Sequence, residues 1–246
     1  MKKTNNMKIT NNMKTKLITS FAAAMAAFVI SANAAVISVN IGNSSANNNI
    51  SATDTAGVVA VNNWNNKLGS FGAAAVTDDS GTLLATTVSV NTQWSGGLSA
   101  AAATPNHALM GSGTDSGGGD MSATVTGITF DLYDVYVYFK NSGDRYGDYS
   151  VTPSGTGAAG GGLLRGYNIP YAGTFIEETT GADPGTGNYM VFRNVSGANL
   201  LINSSPENPS VARAPLTGFQ IVAVPEPSST ALLGLGGLAL ILRRRK

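Results

Sequence analysis

The sequence predicts an all-β body, an antiparallel β-sandwich with a jelly-roll arrangement of strands. About ten short runs rich in β-branched and aromatic residues occupy the central part of the chain. Turn-forming segments such as GNSSANNN, GTDSGGGD and NSGDRYGD separate these runs. Helical periodicity is too short there to compete, and many short strands at this spacing are typical of sandwiches.

The predicted strands are residues 36–41, 57–61, 83–90, 121–125, 133–140, 148–152, 174–179, 189–195, 199–203 and 217–222. The run YDVYVYFK (133–140) alternates with a period of two. One face of this strand is the expected core face, formed by Tyr133, Val135, Val137 and Phe139. The last run ends just before Pro225, so the body is expected to end there with little room for a linker.

The other face of the same strand carries Tyr136 and Tyr138, and this face is predicted to be open to solvent. A tyrosine ring combines a flat apolar surface with a polar tip, which suits stacking on a sugar ring. We therefore predict Tyr136 and Tyr138 as candidate glycan contacts. The structural alternative is that both rings pack against cross-strand neighbours or under a loop.

The two tryptophans, Trp64 and Trp94, are further candidate glycan contacts. Both lie in polar, glycine-bearing surroundings, in VNNWNNKLG and NTQWSGG. The alternative, and the more common role of such residues, is a buried ring that anchors the end of a strand.

The charge of the chain is unevenly distributed. Nine of the 15 Lys and Arg residues lie in the two end segments, which leaves six cations against 13 acids between residues 35 and 224, a net charge of −7. This balance argues against nucleic-acid binding, which requires clustered cations. The chain has no cysteine, so disulfides and thiolate metal sites are excluded.

The two ends predict export. Residues 1–34 show a basic stretch, an apolar segment and the small-x-small signature Ala32-Asn33-Ala34, which is typical of a signal peptide cleaved by signal peptidase. Residues 35–224 then form the sandwich domain. The uncharged run 228–242 would be about 22 Å long as a helix, shorter than a bilayer core of about 30 Å, which predicts transient rather than permanent membrane insertion.

The C-terminal segment 225–246 resembles the PEP-CTERM sorting signal, which exosortases read in Gram-negative bacteria. The residues that carry the resemblance are Pro225, Glu226, Pro227, Arg243, Arg244 and Arg245, with a short Gly/Leu/Ala-rich helix between the two groups. The resemblance implies export, processing near Pro225-Glu226-Pro227 and delivery to the cell surface or extracellular matrix. It implies no activity.

Catalytic and metal-binding patterns are weak. TDSGGG (114–119) is similar to a serine-protease nucleophile loop around Ser116, but the only histidine, His107, lies nine residues upstream in the chain. Glu177 and Glu178 are neighbours on a predicted strand and therefore point to opposite faces, unlike the paired carboxylates of a glycosidase. We predict no catalytic residue and no metal ligand, although calcium at 113–120 or 141–148 is an alternative.

The sequence therefore favours a non-enzymatic, exosortase-sorted protein of the cell surface or extracellular matrix, with a structural or weak glycan-binding role. A loose likeness to lectin-like jelly rolls supports this by analogy of fold alone. Two alternatives stay open, namely a polysaccharide-modifying enzyme and an adhesin that binds another protein.

Overall fold

The computed structural model describes residues 34–42, 46–68, 71–92, 94–96, 102–111, 113–115, 117–139, 145–153, 164–166, 171–179, 187–207, 210–211 and 213–225. The predicted signal peptide up to Asn33 and the sorting residues from Glu226 onward lie outside this part of the chain. Residues Ala34–Val224 form one compact unit. Among the described residues, no helix has the length and apolar character needed to span a bilayer.

Within these residues the chain forms thirteen strands, one α-helix and one 3-10 turn. The strands are β1 (Val36–Gly42), β2 (Asn65–Leu68), β3 (Phe71–Thr77), β4 (Leu83–Asn91), β5 (Trp94–Gly96), β6 (Gly113–Asp115), β7 (Met121–Thr126), β8 (Tyr133–Phe139), β9 (Gly147–Thr152), β10 (Leu164–Gly166), β11 (Tyr189–Val195), β12 (Asn199–Pro206) and β13 (Leu216–Ala223). The helix α1 spans Pro105–Gly111, and the 3-10 turn spans Ala46–Asn48.

The strands form two sheets, and nearly every pairing is antiparallel. Sheet 1 has the order β11-β8-β13-β1-β2, with β6 beside β13 and β5 beside β6; its β1–β2 pair is parallel. Sheet 2 has the order β10-β9-β12-β7-β4-β3 and is antiparallel throughout. The predicted all-β, mainly antiparallel fold is confirmed, and the jelly-roll connectivity stays a prediction.

One hydrophobic core lies between the sheets. It combines Val135 and Phe219 of sheet 1 with Val88, Val125 and Ile202 of sheet 2. The core face predicted for β8 is correct, because each of its four side chains is at most 1% exposed: Tyr133, Val135, Val137 and Phe139. Burial of this many large apolar side chains is the main force that holds two such sheets together.

A second apolar layer covers the outer face of sheet 1. It contains Leu109 and Met110 of α1, Trp64, and the outward-facing Tyr138 and Tyr189. Segments 46–64 and 171–179 supply further members, among them Ile50, Val58 and Phe175. Sheet 1 is therefore covered on both faces, which explains why its outward-facing residues are mostly buried and include apolar side chains.

Two predicted strands are wrong, and both belong to this covering layer. Residues 57–61 form a turn closed by an isolated bridge between Ala56 and Val61. Residues 174–179 make one isolated parallel bridge, Glu177 to Tyr189. Apolar runs of five or six residues look alike whether they pair in a sheet or lie across one. The sequence pattern alone therefore did not distinguish the two cases.

Candidate functional site

Tyr138 lies in the interior of the layer that covers sheet 1. Its side chain is 0% exposed, its hydroxyl donates to Gln220 Oε1, and it accepts a hydrogen bond from the Val58 backbone N–H at 2.8 Å. Its ring centroid lies 6.2 Å from that of Trp64 and 5.5 Å from that of Phe175. Tyr138 therefore anchors the 57–61 turn to sheet 1.

The expectation of a solvent-facing tyrosine pair is therefore wrong for Tyr138. Trp64 is also buried, at 4% exposure, and its indole N–H donates to the Val61 carbonyl at 3.1 Å. Neither ring offers a free surface to a glycan, and both follow the structural alternative. The side chain of Trp94 lies outside the described residues.

Tyr136 occupies a different position, at the margin of this layer. It is half-buried, and its ring stacks on Tyr189 with centroids 6.4 Å apart and planes inclined by 22°. The two residues lie on the adjacent strands β8 and β11, diagonal to each other in the ladder. Pairing of this kind fixes aromatic rings with little freedom left to lose on binding.

An ion pair lies beside these two rings. The Arg193 guanidinium Nη1 donates to Glu177 Oε1 at 3.2 Å, and both side chains keep part of their surface in solvent, 39% for Arg193 and 27% for Glu177. We call Tyr136, Tyr189, Glu177 and Arg193 the aromatic–ion cluster. It combines a flat apolar surface with hydrogen-bond donors and acceptors at its edge.

A β-bulge in β11 directs Arg193 to this position. The register between β11 and β8 shifts between Phe192 and Val195, and Asn194 has a φ of +55°. The Asn194 N–H donates to Asp134 Oδ1 at 2.9 Å, which holds the bulge in place. Bulges often redirect side chains near functional sites.

Glu177 reaches the cluster because its segment lies along the edge of β11. The Glu178 N–H donates to the Tyr189 carbonyl at 2.7 Å, and the Asn188 N–H donates to the Ile176 carbonyl at 2.8 Å. The Asn188 amide also donates to the Thr174 carbonyl at 2.9 Å. The otherwise open edge of β11 is therefore covered, and Glu177 is held on a rigid segment.

The electrostatics keep both tyrosine hydroxyls protonated. Burial, then the nearby Asp134 carboxylate, raise the pKa of Tyr136 above its usual value. Burial, then Glu177, do the same for the pKa of Tyr189. The hydrogen bond to Glu177 raises the pKa of Arg193, so its charge is permanent. At neutral pH the cluster therefore presents donors from Tyr and Arg and an acceptor carboxylate.

The residues considered for catalysis that the structure describes are held by local contacts. The Thr104 hydroxyl caps the start of α1 by accepting the His107 backbone N–H at 3.2 Å. The His107 Nδ1 lies 2.8 Å from the same hydroxyl, and its ring meets Tyr171 edge-on at 5.2 Å. Glu178 is 1% exposed and accepts a hydrogen bond from the Gly187 N–H at 3.1 Å, whereas the partly exposed Glu177 pairs with Arg193. Ser116 lies outside the described residues.

The alternative calcium segment at 113–120 contains a buried acid that faces a cation. Asp115 is 0% exposed, with one carboxylate oxygen 3.8 Å from Arg213 Nη1 and the other bonded to the Gly117 N–H at 3.1 Å. Burial raises the pKa of Asp115, while Arg213 opposes that shift. In the part of the chain that the structure describes, no group of three or more His, Cys, Asp or Glu residues is arranged to hold a metal ion.

Comparison with known protein families indicates the class of exported surface proteins. The family model of the PEP-CTERM protein-sorting motif matches residues 223–246. The resemblance read from Pro225-Glu226-Pro227 and the terminal arginines is therefore confirmed, and it stays confined to this end of the chain. The motif marks the chain as a protein exported to the cell surface of a Gram-negative bacterium and processed by an exosortase.

The body of the chain, residues 35–224, gives fewer matches to known proteins. No curated protein matches it. Among solved structures, the plant Receptor-like Kinase FER is similar, with 16% sequence identity and a TM-score of 0.42. That match covers 79% of this chain and 43% of the other, so the chain spans less than half of that structure. A likeness of this size supports no inference about function.

Three members of the aromatic–ion cluster were not predicted as glycan contacts. Tyr189 and Arg193 both lie in YMVFRNV, a correctly predicted strand whose alternation places them on the face opposite Met190 and Phe192. Applying the period of two to this strand as well as to β8 would have found them. Glu177 gave no such signal, because its segment is not a strand and its position depends on tertiary contacts.

Proposed function

We propose that this protein is a non-enzymatic component of the cell surface or extracellular matrix that contacts glycans weakly through the aromatic–ion cluster. The sorting motif supports the location. The observation that carries the glycan contact is the half-buried Tyr136 ring, stacked on Tyr189 and bordered by the Arg193–Glu177 ion pair.

The chemistry of the cluster fits a neutral sugar ring. The C–H face of a pyranose packs on a flat aromatic ring, and the hydroxyls at its edge pair with carboxylate and guanidinium groups. Two carboxylates, Glu177 and Asp134, lie near Tyr136 against one guanidinium. This balance disfavours uronic acids, because a like charge close to the site raises the cost of binding.

The binding is expected to be weak. The cluster lies on an open margin, and one stacked tyrosine contributes about 0.5–1.5 kcal/mol. Loss of Tyr136 should therefore weaken binding by about two- to ten-fold. Weak single contacts suit a matrix protein that acts in many copies, because linked sites raise the overall affinity.

The test uses the purified protein and soluble neutral oligosaccharides, with binding followed by NMR chemical-shift changes. Tyr136→Ala should weaken binding two- to ten-fold, while Tyr138→Phe, which alters a buried hydroxyl, should leave it unchanged. Glu177→Gln should weaken binding less than Tyr136→Ala does. Equal binding by the native protein and Tyr136→Ala would remove the cluster from any glycan-binding role.

A further inference from the structure

The outer face of sheet 2 carries a regular array of small uncharged side chains. Strands β4, β7, β12 and β9 place their apolar residues in the shared core and their alternate residues outward. At the ends of these strands Leu83, Ala85, Ser205 and Asp148 also alternate outward. The residues between these ends, which we call the hydroxyl face, are Thr87, Ser89, Asn91, Ser122, Thr124, Thr126, Asn199, Leu201, Asn203, Ser150 and Thr152. They carry no charge, and all but Leu201 are polar.

The register of the strands arranges these side chains in rows. Thr87, Thr126 and Asn199 are directly opposite one another across β4, β7 and β12. A second row is Ser89, Thr124, Leu201 and Thr152, and a third is Asn91, Ser122, Asn203 and Ser150. Neighbours in a row lie about 4.8 Å apart and successive rows about 6.8 Å apart, from the strand spacing and the two-residue repeat.

The array keeps hydrogen-bonding capacity for a ligand. The Thr87 and Thr126 hydroxyls bond to each other at 2.8 Å. Among the described residues, the side chains of Thr124, Ser122 and Asn203 make no hydrogen bond to another protein group. Short side chains on the four inner strands of a sheet lose little conformational entropy when a ligand binds.

The charge distribution selects the kind of partner. The body between residues 35 and 224 carries a net charge of −7, which opposes the approach of a polyanion or of a second copy. The hydroxyl face itself is neutral, and the nearest acids lie at one end, where Ser205 donates to Asp120 and β9 begins with Gly147 and Asp148. A neutral, hydroxyl-rich surface meets no charge repulsion there and supplies partners for each polar group.

We propose that the hydroxyl face is a docking surface for a neutral polysaccharide in an extended, flat form. It lies on the opposite side of the sandwich from the aromatic–ion cluster, because Tyr136 projects from the outer face of sheet 1. The two surfaces share no residue, so this proposal does not depend on the proposed glycan contact at Tyr136. A protein with both would link a flat polymer surface to a second sugar chain.

The experiment measures depletion of the purified protein from solution by insoluble polysaccharides. The neutral probes are microcrystalline cellulose, curdlan and mannan, and oxidised cellulose is the carboxylated counterpart. We expect saturable adsorption to at least one neutral probe. If native cellulose is bound, adsorption to oxidised cellulose should be at least five-fold weaker. Adsorption to none of the neutral probes, or adsorption to oxidised cellulose alone, would overturn the proposal.

The variants locate the surface. Thr124→Glu and Ser89→Glu, which place a charge in the middle of the hydroxyl face, should each lower adsorption at least ten-fold. Thr53→Glu, an exposed position away from this face, and Tyr136→Ala should change it less than two-fold. Circular dichroism and thermal unfolding identify any variant that fails to fold, and the second face variant then decides the result.

The outcomes separate the two proposals. Adsorption lost in Tyr136→Ala but kept in Thr124→Glu would overturn the hydroxyl face and favour the aromatic–ion cluster. Sedimentation equilibrium addresses a second copy as the occupant. A dimer that Thr124→Glu dissociates, in a protein that adsorbs to no probe, would make this face a self-association surface and overturn the polysaccharide proposal.

Discussion

Removal of the Tyr138 hydroxyl should destabilise the protein measurably, whereas removal of the Tyr136 hydroxyl should not. Tyr138→Phe keeps the ring in contact with Trp64 and Phe175 but deletes the group that bonds to both Val58 and Gln220. Gln220 keeps other partners, since its amide nitrogen donates to the Ser38 hydroxyl at 3.0 Å and to the Val59 carbonyl at 2.8 Å.

The magnitude follows from the group that is left unpaired. The Val58 N–H loses its acceptor in a half-buried position, and one such buried donor costs about 1–3 kcal/mol. We therefore expect a decrease of about 2 kcal/mol in the free energy of unfolding. For a body of this size that corresponds to about 4–8 °C in the melting temperature.

Urea unfolding followed by tryptophan fluorescence measures the change, because Trp64 lies against Tyr138. Tyr136→Phe is the matched control on the same strand face, and its half-exposed hydroxyl should contribute less than about 0.5 kcal/mol. Equal stabilities of Tyr138→Phe and Tyr136→Phe would refute the reasoning, because the buried hydroxyl would then hold nothing in place.

Three further predictions follow from other parts of the chain. Burial raises the pKa of Tyr133 to about 12 and raises the pKa values of Tyr138 and Tyr149 above their ordinary range. The folded state therefore keeps protons that the unfolded chain releases above about pH 10, so the free energy of unfolding should fall as the pH rises from 10 toward 12 in alkaline unfolding experiments, by at most about 1.4 kcal/mol per pH unit for each group. Tyr149→Phe should show a shallower decrease. A Cβ at Gly218 would lie 2.5 Å from the Val39 carbonyl oxygen, so Gly218→Ala should lower the free energy of unfolding by about 3 kcal/mol. Gly72 has open space around it, so the control Gly72→Ala should change the free energy of unfolding by less than about 0.5 kcal/mol. Intact-mass analysis of the protein from its native host should show a mature form without the terminal arginines, and a form that still ends at Lys246 would contradict processing.

The sequence predicted the strands that lie in the middle of the sheets better than the parts that surround them. β8 was identified because its β-branched and aromatic residues alternate cleanly, and its core face was correct to the residue. The edge strand β3 was missed, because its sequence FGAAAVT is poor in β-forming residues and owes its structure to pairing with β4. Local propensity cannot reveal a strand that forms only because a neighbouring strand pairs with it.

The candidate site was harder to predict for the same reason. Tyr136 and Tyr138 are equivalent in the alternation of β8, yet one lies at a margin and the other is buried. The difference arises because the 57–61 turn folds back onto Tyr138, through a hydrogen bond between residues 80 positions apart. Such a distant contact leaves no trace in the pattern of either segment.

The position of β13 links completion of the fold to the end of translocation. This last strand lies in the middle of sheet 1, between β8 and β1, and the Ala223 N–H donates to the Ala35 carbonyl at 2.9 Å. Because a chain is exported amino end first, β1 can pair with β13 only after β13 emerges, immediately before the sorting motif. We expect sheet 1 to stay open until then, so that the closed body forms only after the chain as far as β13 has been exported.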